Sequence, residues 1–158
     1  MKKTMFTALL FLFGIMAFGQ QKENGTIYIA HPYIDVVMKT SRAYETQDWA
    51  ALKKMYSDTA RWWVSGLEKF IPIADAFKSW KSDFDFYNDI KQVQVGYPDF
   101  LHYKKENVMI VQSWWNWTGK SKKTGEELKV PMVIFDEFNS AGKIVNEYIY
   151  GDFSKMEK

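Results

Sequence analysis

From Val108 to Phe138 the chain alternates bulky and polar side chains along two arms, Val108 to Thr118 and Leu128 to Phe138, joined by the polar stretch Gly119 to Glu127. A period of two is the mark of a strand with two distinct faces, so this stretch reads as one long hairpin. A further run, Gly142 to Asp152, leaves the turn signal Asn139-Ser140-Ala141-Gly142 and adds a strand to the same sheet. Before the hairpin the dominant spacing is helical. Tyr33, Val36, Val37, Thr40 and Tyr44 recur on one stripe from a start at His31-Pro32 to about Thr46, and Asp48 is a natural N-cap for a short second helix carrying Trp49 and Leu52. Ile73, Phe77, Trp80, Phe84 and Tyr87 form the stripe of a third helix ending at Asn88-Asp89. Between these helices, Thr59 to Gly66 reads as a strand, and Gly66 to Pro72 as a connection.

Helices first and strands afterwards restrict the chain to an α+β layer fold, a cone-shaped curved antiparallel sheet wrapped on three N-terminal helices. The interior of such a cone is a pocket. Shorter strands are expected at Ile90 to Val95 and Phe100 to Tyr103, and Pro131 marks a bulge or a sheet edge, because proline cannot donate to a ladder.

The first residues stand apart. Lys2 and Lys3 precede an almost wholly apolar run from Thr4 to Phe18 and the small residues Ala17 and Gly19, which is the pattern of a secretory signal peptide. The expected division is therefore 1–19 leader, 20–30 flexible N-terminal segment and 31–158 a single domain, exported to the periplasm or beyond and with no membrane span in the mature chain. Cysteine is absent, so disulfides and thiolate chemistry are excluded, and the core alone stabilises the fold. The 21 basic side chains include the two leader lysines and face 19 acidic ones, which leaves the mature chain balanced and without the basic face a nucleic-acid partner requires. With His31 and His102 the only histidines, no metal site is expected.

Three stretches resemble the nuclear transport factor 2-like superfamily, in its polyketide-cyclase-like (SnoaL-like) branch. They are Ala43 to Leu52 followed by Tyr56-Ser57-Asp58-Thr59-Ala60, then Lys123-Thr124-Gly125-Glu126 with Val130-Pro131, and finally Gly142-Lys143-Ile144-Val145 through Asp152. The resemblance implies the cone fold (NTF2-like, a cystatin-like α+β barrel), dimers through the outer sheet face, no cofactor, and an acid or base role for Asp152. Catalytic cyclases of this kind usually add a histidine from the preceding strand. This chain has Ile134, Asp136 and Phe138 there instead.

Simple alternation along the last strand puts Ile144, Asn146, Tyr148, Tyr150 and Asp152 on one face and Val145, Glu147, Ile149 and Gly151 on the other. Taking the first face as inner makes Asp152 the candidate catalytic group, with Tyr148 and Tyr150 beside it. Trp63, Trp80, Phe84, His102, Trp115 and Trp117 complete the candidate ligand wall. The expected function is an exported domain that binds a small hydrophobic or aromatic molecule in an aromatic-lined pocket. The alternatives are a cofactor-independent lyase, isomerase or cyclase using Asp152 as general acid or base, and a non-catalytic dimeric interaction domain whose cavity is filled by its own side chains.

Overall fold

The computed structural model describes residues 23–157. The expected leader and its cleavage point near Gly19-Gln20 lie outside the described residues. Helix α1 (Pro32–Glu45) starts as its sequence demands: Pro32 occupies the first turn, and the His31 side chain accepts from the Tyr33 amide at 3.2 Å. The Asp48 carboxylate caps helix α2 (Trp49–Met55) by accepting from the Ala51 amide at 2.9 Å. Helix α3 (Ile73–Phe86) buries Ile73 and Ala76 and rests Phe77, Trp80 and Phe84 on the core.

The strands are β1 (Gly25–Tyr28), β2 (Tyr56–Val64), β3 (Ile71–Pro72), β4 (Tyr87–Gln94), β5 (Asp99–Tyr103), β6 (Met109–Ser121), β7 (Glu127–Phe138) and β8 (Ile144–Gly151). They form one sheet in the order β1-β5-β6-β7-β8-β2-β3. One edge of β6 is shared, Met109 to Gln112 pairing with β5 and Trp115 to Ser121 with β4. The sheet is curved, does not close on itself, and the three helices lie against its concave side.

Three expectations are corrected. The sheet is mixed rather than antiparallel throughout, because β2 runs parallel to β8. The return of the final strand to the first long one crosses the whole domain, a pairing that no local turn signal encodes. The segment expected to be loose at 20–30 contains β1, which pairs with β5 from Gly25↔Tyr103 to Tyr28↔Phe100. The connection before α3 contains the two-residue β3, paired with Arg61 and Trp62. Pro131 sits where β7 has passed its last β8 partner, Met132↔Gly151, so its missing donor faces no neighbour.

The turn before β8 decides what that strand presents. Asn139 accepts from the amides of Ala141 and Lys143 through its side-chain oxygen, both at 3.0 Å, and Gly142 takes the positive φ of 73° that a residue with a Cβ resists. The register of β8 on β7 then slips. Phe138 pairs with Ile144 but Glu137 with Asn146, leaving Val145 as an extra residue. Beyond this bulge the faces are exchanged relative to simple alternation, so Ile144, Glu147 and Ile149 are buried while Tyr148 and Tyr150 turn outwards.

Candidate functional site

The inner face of the cone is laid down row by row. Trp62 on β2 lies beside Glu147 on β8, which lies beside Asp136 on β7 and then Val111 on β6. The next row is Val64, Ile149, Ile134 and Ser113, and beyond it come Met132 with Trp115 and Val130 with Trp117. Helices α1 and α3 cover this floor and leave a cavity of about 490 Å³, whose wall includes Val37, Ser41, Tyr44, Leu52, Tyr56 and Trp80. Ser65, Gly66 and Ser79 stand at its more exposed rim, and the C-terminal residues Phe153, Met156 and Glu157 close another part of it. This volume lies within the range of small-molecule pockets.

At the floor two carboxyl groups face each other across adjacent strands. Asp136 is 1 % and Glu147 5 % exposed. The Tyr56 hydroxyl, delivered at the start of β2 where α2 ends, donates to Glu147 Oε2. Burial is the main force on Asp136 and pushes its carboxyl well above the usual carboxylate range; the neighbouring charge of Glu147 adds to it. Glu147 is raised by the same desolvation, but hydrogen bonds from Tyr56 and from Asp136 oppose the rise. Two like charges this close and this dry cannot both persist, so the pair retains a proton to higher pH than a free carboxyl does. Asp136 keeps it more firmly, because Glu147 has the tyrosine to stabilise its charge. Tyr56 is itself pushed well above its ordinary value, first by burial and then by Glu147, and remains a neutral donor.

Two polar atoms of this row have no partner. Asp136 Oδ1 accepts nothing, and the Trp62 indole N–H, although near enough to favour the Glu147 charge, makes no geometrically sound hydrogen bond. Buried polar atoms in folded proteins are nearly always paired, so these two are exceptions among the described residues.

A second polar cluster lies toward α3. Trp117 Nε1 donates to the Tyr44 hydroxyl at 2.9 Å, and that hydroxyl donates to Asp83 Oδ2 at 2.7 Å. Burial pushes the Asp83 carboxyl up to about 6 against a pull downwards from Tyr44. Near the tail, Ser121 Oγ donates to Glu157 Oε1 at 2.5 Å, and the Glu157 amide donates to the Tyr87 hydroxyl at 2.8 Å.

Of the residues singled out from the sequence, Trp80, Trp115 and Trp117 line the cavity. The structure turns the others elsewhere. Asp152 is exposed, and its carboxylate accepts from the Ser154 amide at 3.1 Å, which pulls its pKa down. It caps a turn that starts the tail, and the expected inward acid at this position is corrected accordingly. Tyr148 packs on Phe70, and Tyr150 on Trp63 and Phe135, forming an aromatic patch on the outer face with Tyr150 47 % exposed. Phe84 packs against Tyr44 and Trp49 behind the cavity wall, and His102 bonds Asn107 at 2.7 Å, away from the cone. The bulge at Val145 is the physical reason for the exchange on β8. Asp136 left a readable signal, a single charge within the inward series Val130, Met132, Ile134, Asp136 and Phe138.

No protein-family model and no curated protein matches the chain. Solved structures do. An NTF2-like protein of unknown function from an Exiguobacterium species is 20% identical, with a TM-score of 0.58 over 74% of this chain and 98% of that one. IdmH from Streptomyces antibioticus, a candidate polyketide cyclase, is 14% identical with a TM-score of 0.63 over 80% of this chain and 96% of that one. A candidate SnoaL-like polyketide cyclase from Shewanella denitrificans is 10% identical, with a TM-score of 0.59 over 80% and 95%. At these identities the likeness concerns the fold. The chain has the NTF2-like α+β cone fold.

Proposed function

We propose that this chain binds a small, largely apolar or aromatic molecule inside the cone, with the Asp136–Glu147 pair as its polar anchor. The observation that carries the reading is a buried carboxyl pair, Asp136 and Glu147, among the residues that line a cavity of about 490 Å³. A cavity of that size argues against the cone being filled by its own side chains, and convergent polar groups in an apolar wall are the usual composition of a ligand site. Export rests on the leader sequence alone. The test is calorimetric titration with naphthylmethanol, a neutral aromatic probe, against the protein and a Ser79→Trp variant that obstructs the rim. Saturable binding to the first and weakened binding to the second is expected. No binding to either removes the reading.

One feature favours a second reading, proton transfer on the bound molecule. A carboxylate and a carboxylic acid side by side form a base next to an acid, and desolvation tunes both toward neutral pH. Polyketide cyclases among the fold neighbours are consistent with such chemistry. Glu147, held by Tyr56, would take a proton, and Asp136 would supply a hydrogen bond where negative charge develops. Elimination of nitrobenzisoxazole, an aromatic C–H substrate sensitive to desolvated carboxylates, reads this directly. Turnover that Glu147→Gln abolishes and Asp152→Asn leaves intact is expected, and turnover insensitive to Glu147 would place the base elsewhere.

A further inference from the structure

The charges of the cavity wall are one-sided. Asp83, Asp136, Glu147 and Glu157 line it, while none of its lining residues is a lysine, arginine or histidine among the described residues. The floor pair has no cationic partner in this wall, and a carboxylate buried in that state is costly. Four indoles, Trp62, Trp80, Trp115 and Trp117, line the same space, and indole π-faces attract cations. A carboxyl group accepts hydrogen bonds whether or not it is protonated, and Asp136 and Glu147 both line this space.

We propose that the molecule bound in the cone is a protonated amine on an apolar skeleton, with its ammonium group at the Asp136–Glu147 pair and the skeleton lying against Trp62, Trp80 and Trp115. The inference rests on the binding reading given above and names the chemical class of the ligand. An anionic ligand meets four carboxyl groups and no counter-charge. A neutral alcohol can hydrogen-bond the carboxyl pair but brings no charge to set against it. An ammonium group does both, and its charge-assisted hydrogen bond is stronger than a neutral one. The apolar part of the wall, including Leu52, Met132, Ile134 and Ile149, excludes a highly polar amine such as a polyamine, whose further charges would be buried against hydrocarbon.

Three probes sharing one ring system test this at neutral pH by calorimetry on the full mature chain: naphthylmethylamine, naphthylmethanol and naphthoate. The amine is expected to bind about tenfold tighter than the alcohol, with naphthoate not saturating. In Glu147→Gln, which removes the charge that the pair can carry, the amine is expected to fall toward the affinity of the alcohol. The wild-type series decides the matter even if that variant does not fold. An alcohol that binds as tightly as the amine, or a naphthoate that binds at all comparably, overturns the amine assignment and leaves the pocket reading standing. Failure of all three probes overturns both.

Discussion

Asp83 offers a stability experiment whose sign and size follow from its surroundings. Its carboxyl is moved from 3.8 to about 6 in the folded protein, chiefly by burial where α3 faces Tyr44 of α1. At about 1.4 kcal/mol per pH unit, a lift of that size corresponds to about 3 kcal/mol. The folded state holds the proton more tightly than the unfolded chain. This group's contribution is therefore fully present below about pH 4 and lost as the pH rises through about 6. Solvent reaches part of the side chain, so about 2 kcal/mol is the expected loss. Asp83→Asn removes the titration and keeps an oxygen for the Tyr44 hydroxyl, which donates to Asp83 at 2.7 Å. Urea unfolding of both proteins between pH 4 and 8 isolates the difference, since the Asp136–Glu147 pair titrates in both. The wild type should lose about 2 kcal/mol more than the variant across that interval. Parallel profiles would show that water freely solvates Asp83 and that the cavity is not the dry chamber inferred from its walls.

Other consequences are simpler to state. Tyr56→Phe strips Glu147 of its buried donor and should cost about 1 to 3 kcal/mol by chemical denaturation, with the loss growing as the pH rises and Glu147 is forced to ionise without help. The outer face carries half-buried Trp114 and an aromatic patch around Tyr150, and we expect two copies to join there; light scattering should show a dimer that Trp114→Glu dissociates, and a wild-type monomer at micromolar concentration would end that proposal. Export predicts that secreted material begins near Gln20, and N-terminal sequencing that finds Met1 would contradict it.

The parts of this fold governed by local chemistry were legible in the sequence. The start of α1 at His31-Pro32, the Asp48 cap, the long β6–β7 hairpin and the Gly142 turn all follow from residues within a few positions of one another. The parallel pairing of β2 with β8 was not legible, since its partners are far apart in sequence. The site suffered most from a single residue. An extra residue at Val145 inverts β8, sending Tyr148 and Tyr150 outwards and Glu147 inwards, and periodicity alone cannot register a bulge. Asp136 could have been found as the lone charge in an otherwise apolar inward series, yet its partner became visible only once the two strands were in register. Tyr44 and Asp83 come from different helices, and only packing brings them together.

The most direct test of a binding site built on the Asp136–Glu147 pair is a crystal structure of the protein soaked with naphthylmethanol. The ring should lie inside the cone among Trp62, Trp80 and Trp115, with the hydroxyl within hydrogen-bond distance of the Asp136–Glu147 pair. A probe found only on the outer face beside Tyr150, with the cone closed over the carboxyl pair, would contradict it.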